Sequence, residues 1–155
     1  MYNCDIQICR EVPMSRQTKK YRTQWASQFY VAAELTRRGY LVSLTFGNAH
    51  VSDLLVQGED DKMFTVDVKG QSTKNFWLIQ PRPITENHYY IFVYLPRNGG
   101  VPSYFIASCK EVMKLRNAYK QRMIEQGKKY NDKLGGFNWS DILPYENRWE
   151  ILKSS

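Results

Sequence analysis

Apolar positions between residues 23 and 38 recur with a helical period. At about 100° per residue, Trp25, Phe29, Ala32, Ala33 and Leu35 share one broad face, and Arg37, Arg38 and Gly39 suit a last turn and its exit. Two polar residues separate on this wheel. Gln28 lies within the apolar face and points inward. Glu34 lies opposite Trp25 and can pair with Arg37 or Arg38. Strand patterns follow: YLVSLTF (40–46), VSDLLVQ (51–57), MFTVDVKG (63–70), FWLIQ (76–80), HYYIFVYL (88–95) and SYFIAS (103–108). The fifth is aromatic on both faces and reads as a buried central strand, with Tyr89, Tyr90 and Tyr94 in the core and His88 at its end. A second helix is predicted over 110–131, with Val112, Leu115, Tyr119 and Met123 as its stripe. The tail carries Trp139, Ile142, Leu143, Trp149 and Ile151, too many large apolar side chains for a loose end. Helix, strands, helix predicts an α/β fold: a mixed sheet with helices on its faces.

The chain has 155 residues, enough for one core-bearing domain. Residues 1–22 read as a basic N-terminal arm and 23–155 as the domain. With 43% hydrophobic and 24% charged residues, the composition is that of a folded protein rather than a disordered one. No apolar run reaches the roughly 20 residues that span a bilayer, so no membrane partner is expected, and MYNCDIQICREVP does not read as a secretory leader. Cys4, Cys9 and Cys109 have no paired spacing. With His50 and His88 as the only histidines, a structural zinc site is not expected, and reduced thiols in a cytoplasmic protein are.

Charge changes the picture. Lys and Arg number 22 against 15 Asp and Glu, a net +7, and a basic domain attracts polyanions, nucleic acid foremost. Residues 110–133 alone hold eight basic and three acidic side chains. That stretch, the arm and the loop 80–87 are the expected substrate contacts.

The chemistry concentrates in residues 51–71. GEDDK (58–62) is a polar turn between two strand patterns, and a hairpin symmetric about Asp60 opposes positions that sum to 120. Asp53 and Asp67 are such a pair, with Cβ atoms expected about 4.5–5.5 Å apart. Opposed carboxylates repel unless neutralised, and a divalent cation is the natural neutraliser. Strand period 2 puts Lys69 and Gln71 on the face of Asp67. Two acids and a lysine on one side can bind Mg²⁺ and hold a water. Asp-x-Lys alone is a common spacing that a surface ion pair also explains.

The ordered set Gln28 with VAAELTRRGY, SDLLV and FTVDVKGQ resembles the PD-(D/E)xK nuclease superfamily, above all its small restriction-endonuclease-like and Holliday-junction-resolvase-like members. The resemblance covers roughly residues 27–71. It implies a restriction-endonuclease-like α/β/α core and Mg²⁺-dependent cleavage of DNA, with Mn²⁺ as a substitute metal. It also implies a homodimer or larger homo-oligomer, since two sites cut two strands. By this resemblance Asp53 and Asp67 bind metal with the backbone carbonyl of Val68, and Lys69 serves the attacking water. Gln28 stands where the family's helical acid, usually Glu, is found. It adds no charge, and Glu34, the other candidate, turns outward. Gln71 near the phosphate, and Lys74 and Arg82 near strand ends, are expected DNA contacts. A nucleic-acid-binding module on the same fold, with little or no cleavage, is the alternative that the glutamine motivates.

Overall fold

The structure is a computed structural model and describes residues 15–45 and 52–153. The predicted elements within residues 1–14, 46–51 and 154–155 lie outside that range, as do Cys4, Cys9 and His50.

The first helix, α1, spans Arg16–Arg37. It therefore takes in residues 16–22, assigned to the arm from sequence. Ser15 caps it by accepting a hydrogen bond from the Thr18 amide, 3.1 Å. Gly39 ends it at φ 94°, a backbone conformation that suits glycine. Strands β1 (Leu41–Leu44), β2 (Leu54–Gln57), β3 (Met63–Gln71), β5 (His88–Tyr94) and β6 (Ser103–Ser108) form one sheet in the order β1-β2-β3-β5-β6. The two residues of β4 (Trp77–Leu78) pair with β7 (Gly136–Phe137) in a separate ribbon. Helix α2 (Cys109–Glu125) starts in a capping box between Ser108 and Glu111. It ends six residues before the predicted limit. A short helix, α3 (Trp139–Ile142), and three 3₁₀ turns (Asp132–Leu134, Leu143–Tyr145 and Trp149–Lys153) are the remaining elements among the described residues.

The β2–β3 hairpin has the predicted register: Leu54 faces Val66, and the pairs continue to Gln57 and Met63. β3 and β5 run parallel, whereas the other neighbours are antiparallel. A parallel pair needs a crossover. Residues 72–87 supply it, and Trp77 and Ile79 are buried in it. FWLIQ is therefore a crossover segment rather than a strand of the main sheet.

Helices cover both faces, which makes the molecule an α/β/α sandwich. On one face α1 packs Val31 and Leu35 against Val66, Val68, Tyr89, Ile91 and Val93. On the other, α2 packs Val112 and Met113 over Tyr90, Phe92, Phe105, Trp77 and Phe137. Rings there meet edge to face, Trp77 to Phe92 at 4.9 Å and Phe92 to Phe137 at 5.5 Å. Ile142 and Trp149 are buried, so the tail packs as expected. Arg116 is only 3% exposed. It donates to the Ile79 carbonyl at 2.9 Å and to Asp132 at 3.0 Å, so it clasps the crossover and does not belong to a basic outer face.

The inward face of α1 is rotated from the predicted one. Ser27, Gln28, Val31 and Leu35 are buried, while Phe29 is 54% exposed and Ala33 is exposed. Tyr21, Trp25 and Phe29 instead contact one another in a row along the helix, centroids 6.1 and 5.8 Å apart. Glu34, expected to turn outward, is half-buried, its side chain 17% exposed, and it holds Arg37 and Arg38, both at 2.8 Å.

Candidate active site at the uncovered edge of β3

β3 has nine residues and β2 only four. Alternate β3 residues bond to β5: the Thr65 amide donates to Asn87, 2.9 Å, and the Gln71 carbonyl accepts from Leu95, 2.8 Å. The backbone groups of Val66, Val68 and Gly70 therefore point the other way, and the β2 pairing, which reaches Val66, has ended by Val68 and Gly70. Buried backbone groups require partners, and side chains supply them. The Val68 amide donates to Asp53 Oδ2 at 2.7 Å, and the Val68 carbonyl accepts from Gln24 Nε2 at 2.8 Å. The Gly70 amide donates to Gln24 Oε1 at 3.3 Å.

Asp53 thus departs from its predicted position in one respect. The ladder stops at Leu54, and the Asp53 amide donates to the Val66 carbonyl, 3.1 Å. Its carboxylate reaches across the end of β2 instead of standing squarely opposite Asp67. Gln28 Nε2 donates to the second oxygen, Asp53 Oδ1, at 2.9 Å.

Helix α1 delivers both glutamines because it runs very close to β3 at Gly70. A Cβ there would lie 2.7 Å from Ser27 Cβ and 3.1 Å from the Thr23 carbonyl oxygen. Gln24 and Gln28 are one turn apart and meet the strand edge on either side of Ser27. Sequence reading missed Gln24. The signal was present: it is four residues before Gln28, on the same helical face.

Burial pushes the Asp53 carboxyl above its usual range, the Val68 amide and Lys69 oppose the shift, and Asp67 adds to it. Burial raises Asp67 as well, against Lys69 and then Arg82. Both acids thus feel Lys69, and Asp53 feels Asp67. The nearby positive charge does not offset the burial of either carboxylate.

A second group of side chains meets Asp67 on the α2 face. Arg82 Nη1 lies 3.4 Å from Asp67 Oδ2 and 2.8 Å from His88 Nε2, and Thr65 Oγ1 lies 2.8 Å from His88 Nδ1. A guanidinium only donates, so Nε2 must accept and Nδ1 carries the proton, donating to Thr65. Burial, then Arg82 and Lys69, lower the His88 pKa to about 4. His88 is therefore neutral at pH 7, and its 3.8 Å approach to Asp67 is not an ion pair. Tyr90, whose hydroxyl also bonds Arg82, is raised to about 12, chiefly by burial.

The lowered histidine has a stability consequence. Between pH 6.5 and about 4 the unfolded chain takes up a proton that folded His88 refuses, so acidification destabilises the fold in that window. His88→Gln should remove on the order of 2 kcal/mol from the stability difference between pH 7 and pH 5. Urea unfolding of both proteins at the two pH values measures it. An unchanged difference would contradict a buried neutral His88.

The sequence-derived residues divide clearly. Asp53, Asp67, Lys69, Gln28 and Val68 come together at one strand edge, although Gln24 already occupies the Val68 carbonyl. Arg82 belongs to this group through Asp67. Gln71 does not: it braces the crossover, donating to the Phe76 carbonyl at 2.9 Å and accepting from the Asn75 amide at 3.3 Å. Lys74 lies over the Tyr94 and Trp139 rings, 5.7 and 5.9 Å from their centroids. Among the described residues no set of three or more His, Cys, Asp or Glu is arranged to hold a metal. Two carboxylates do suit Mg²⁺, a hard ion that retains several waters and takes one or two carboxylates from protein. The two buried carboxylates of Asp53 and Asp67 fit such an ion; a closed structural metal site does not fit. Comparison with protein-family models, with curated proteins and with solved structures found no match.

Proposed function

We propose that the protein is a metal-dependent DNA endonuclease of the PD-(D/E)xK type. The observation that carries this reading is the meeting of Asp53, Asp67 and Lys69 at the β3 edge, with Gln28 on Asp53. Asp53 and Asp67 would hold a Mg²⁺ or Mn²⁺ ion through carboxylate oxygens. When bound, such an ion lowers the pKa of a water and stabilises charge on a phosphate. Gln28 and the Val68 amide orient the Asp53 carboxylate. Lys69, within electrostatic reach of both acids, places a compact positive charge beside the attacking water or a phosphate oxygen. The net charge of +7 draws the polyanion in. A homodimer or larger assembly acting in the cytoplasm completes the proposal.

A second reading is a DNA-binding module that cuts little or not at all. Gln28 in place of an acid favours it, as does Arg82, which already gives Asp67 a partner. The test is incubation of purified protein with supercoiled plasmid and with a synthetic four-way junction, in Mg²⁺ or in EDTA. Nicking or cutting that requires Mg²⁺ supports the nuclease, and the preferred substrate separates a duplex cutter from a junction resolvase. Salt-sensitive binding to either DNA without cutting would favour the module.

A further inference from the structure

The counter-ions of the site lie on different kinds of chain. Lys69 is on β3, within the sheet. Arg82 is on the irregular segment after β4, between Pro81 and Pro83, with its neighbours Pro81, Pro83 and Ile84 at least partly exposed. Its contact with Asp67 is a single 3.4 Å approach of one nitrogen, not a bidentate fork. Its shorter bond goes to neutral His88, 2.8 Å. Formal charge at the site then sums to zero: Asp53 and Asp67 against Lys69 and Arg82. A divalent cation added to that set leaves two uncompensated positive charges in a half-buried place, and Arg82 and the cation want the same Asp67 oxygen. A phosphodiester, which carries one negative charge, offsets half of that excess.

Resting on the reading of Asp53 and Asp67 as a metal site, we infer that Arg82 competes with the divalent cation for Asp67, and that the displaced guanidinium takes a phosphate oxygen of the substrate. Arg82 thereby couples metal loading to DNA binding. It acts as a positioning residue for metal loading and as a contact for DNA. His88, bonded to the same Nη1, and Tyr90 keep the guanidinium nearby while its contact with Asp67 is exchanged. By linkage, a metal that binds better with DNA present makes DNA bind better with metal present.

Calorimetric titration of Mn²⁺ into the full chain tests this, with wild type, Arg82→Gln and Asp67→Asn compared. Removing the competing charge should tighten Mn²⁺ binding in Arg82→Gln by about tenfold or more without DNA. The same variant should retain duplex DNA less well than wild type. Asp67→Asn should lose Mn²⁺ binding. Equal or weaker Mn²⁺ binding by Arg82→Gln would overturn the competition and leave the metal reading standing, provided wild type binds Mn²⁺ through Asp67. Absence of Mn²⁺ binding in both wild type and Arg82→Gln would overturn the metal reading and the inference together. Should Arg82→Gln fail to fold, the arginine Nε–Hε NMR signal of Arg82 in wild type decides. Movement on adding Mg²⁺ supports the exchange, and an unchanged signal overturns it.

Discussion

Asp67→Asn is expected to lower Mg²⁺-dependent DNA cleavage by about a thousandfold or more while the protein stays folded. A thousandfold corresponds to about 4 kcal/mol of transition-state stabilisation, the scale expected for removing a carboxylate that holds the catalytic cation. Stability should move the other way or hardly at all. Burial raises the folded pKa of Asp67 above its ordinary value. Between those two pKa values the folded chain binds the proton that the unfolded chain has released, so stability falls as pH rises through that window. At neutral pH the ionised carboxylate is therefore a burden on the fold that a neutral amide removes. Against that gain, the amide gives up the attraction of Lys69 and a single 3.4 Å approach of Arg82. Unfolding free energy within about 1 kcal/mol of the parent is expected. Plasmid nicking rates and urea denaturation check the two halves. Nicking that survives at more than a tenth of the parent rate would remove Asp67 from the chemistry.

Gly70→Ala is expected to destabilise the protein by about 3 kcal/mol, at the upper end of what overpacking does. The new methyl group would fall inside contact distance of Ser27 Oγ, 2.7 Å from Ser27 Cβ and 3.1 Å from the Thr23 carbonyl. Ser27 is fully buried and bonded to that same carbonyl at 2.8 Å, so it cannot swing away. Helix α1 must lift from β3. Gln24 then leaves Val68 and Gly70, and Gln28 leaves Asp53, so cleavage should fall along with stability. Ser27→Gly opens the space directly beneath. The double variant should recover part of the loss, after allowing about 1 kcal/mol for glycine inside a helix. Urea denaturation of the four proteins gives the coupling. A Gly70→Ala change below about 1 kcal/mol would mean that the close approach of α1 does not set the site.

Much of the hairpin was legible because its signals are local. GEDDK sets the turn, period 2 sets the faces, and together they set which residues oppose. Leu54 facing Val66 follows from that arithmetic. The pairing of Glu34 with Arg37 and Arg38 is equally local, an i+3 and i+4 relation on one helix. The direction of α1 was not. Counting apolar residues pointed Phe29 inward, yet the buried face centres on Ser27, Gln28 and Val31. A small residue over a glycine brings the helix closer than a bulky aromatic would allow, and that preference exists only once β3 lies beneath it.

FWLIQ shows the same limit from another side. Its composition suits a strand, but β3 and β5 are parallel, and a parallel pair must be joined by chain that passes over one face. Trp77 and Ile79 are buried there because the crossover packs in the α2 layer. Arg82 arrives at Asp67 by the same route, fifteen residues along the chain and one bond away in space.

From its sequence alone this chain specifies an α/β order, a hairpin in register and the acids and lysine at one strand edge, because those features depend on neighbours a few residues apart. Tertiary structure alone decided that β2 ends before β3 does, which sends the Asp53 carboxylate and Gln24 to the unpaired backbone. It also decided that Arg82 and neutral His88 close around Asp67. Those outcomes depend on strand lengths and on which groups lack partners once layers have packed, and an unpaired amide or buried carboxylate finds its partner in space rather than along the chain.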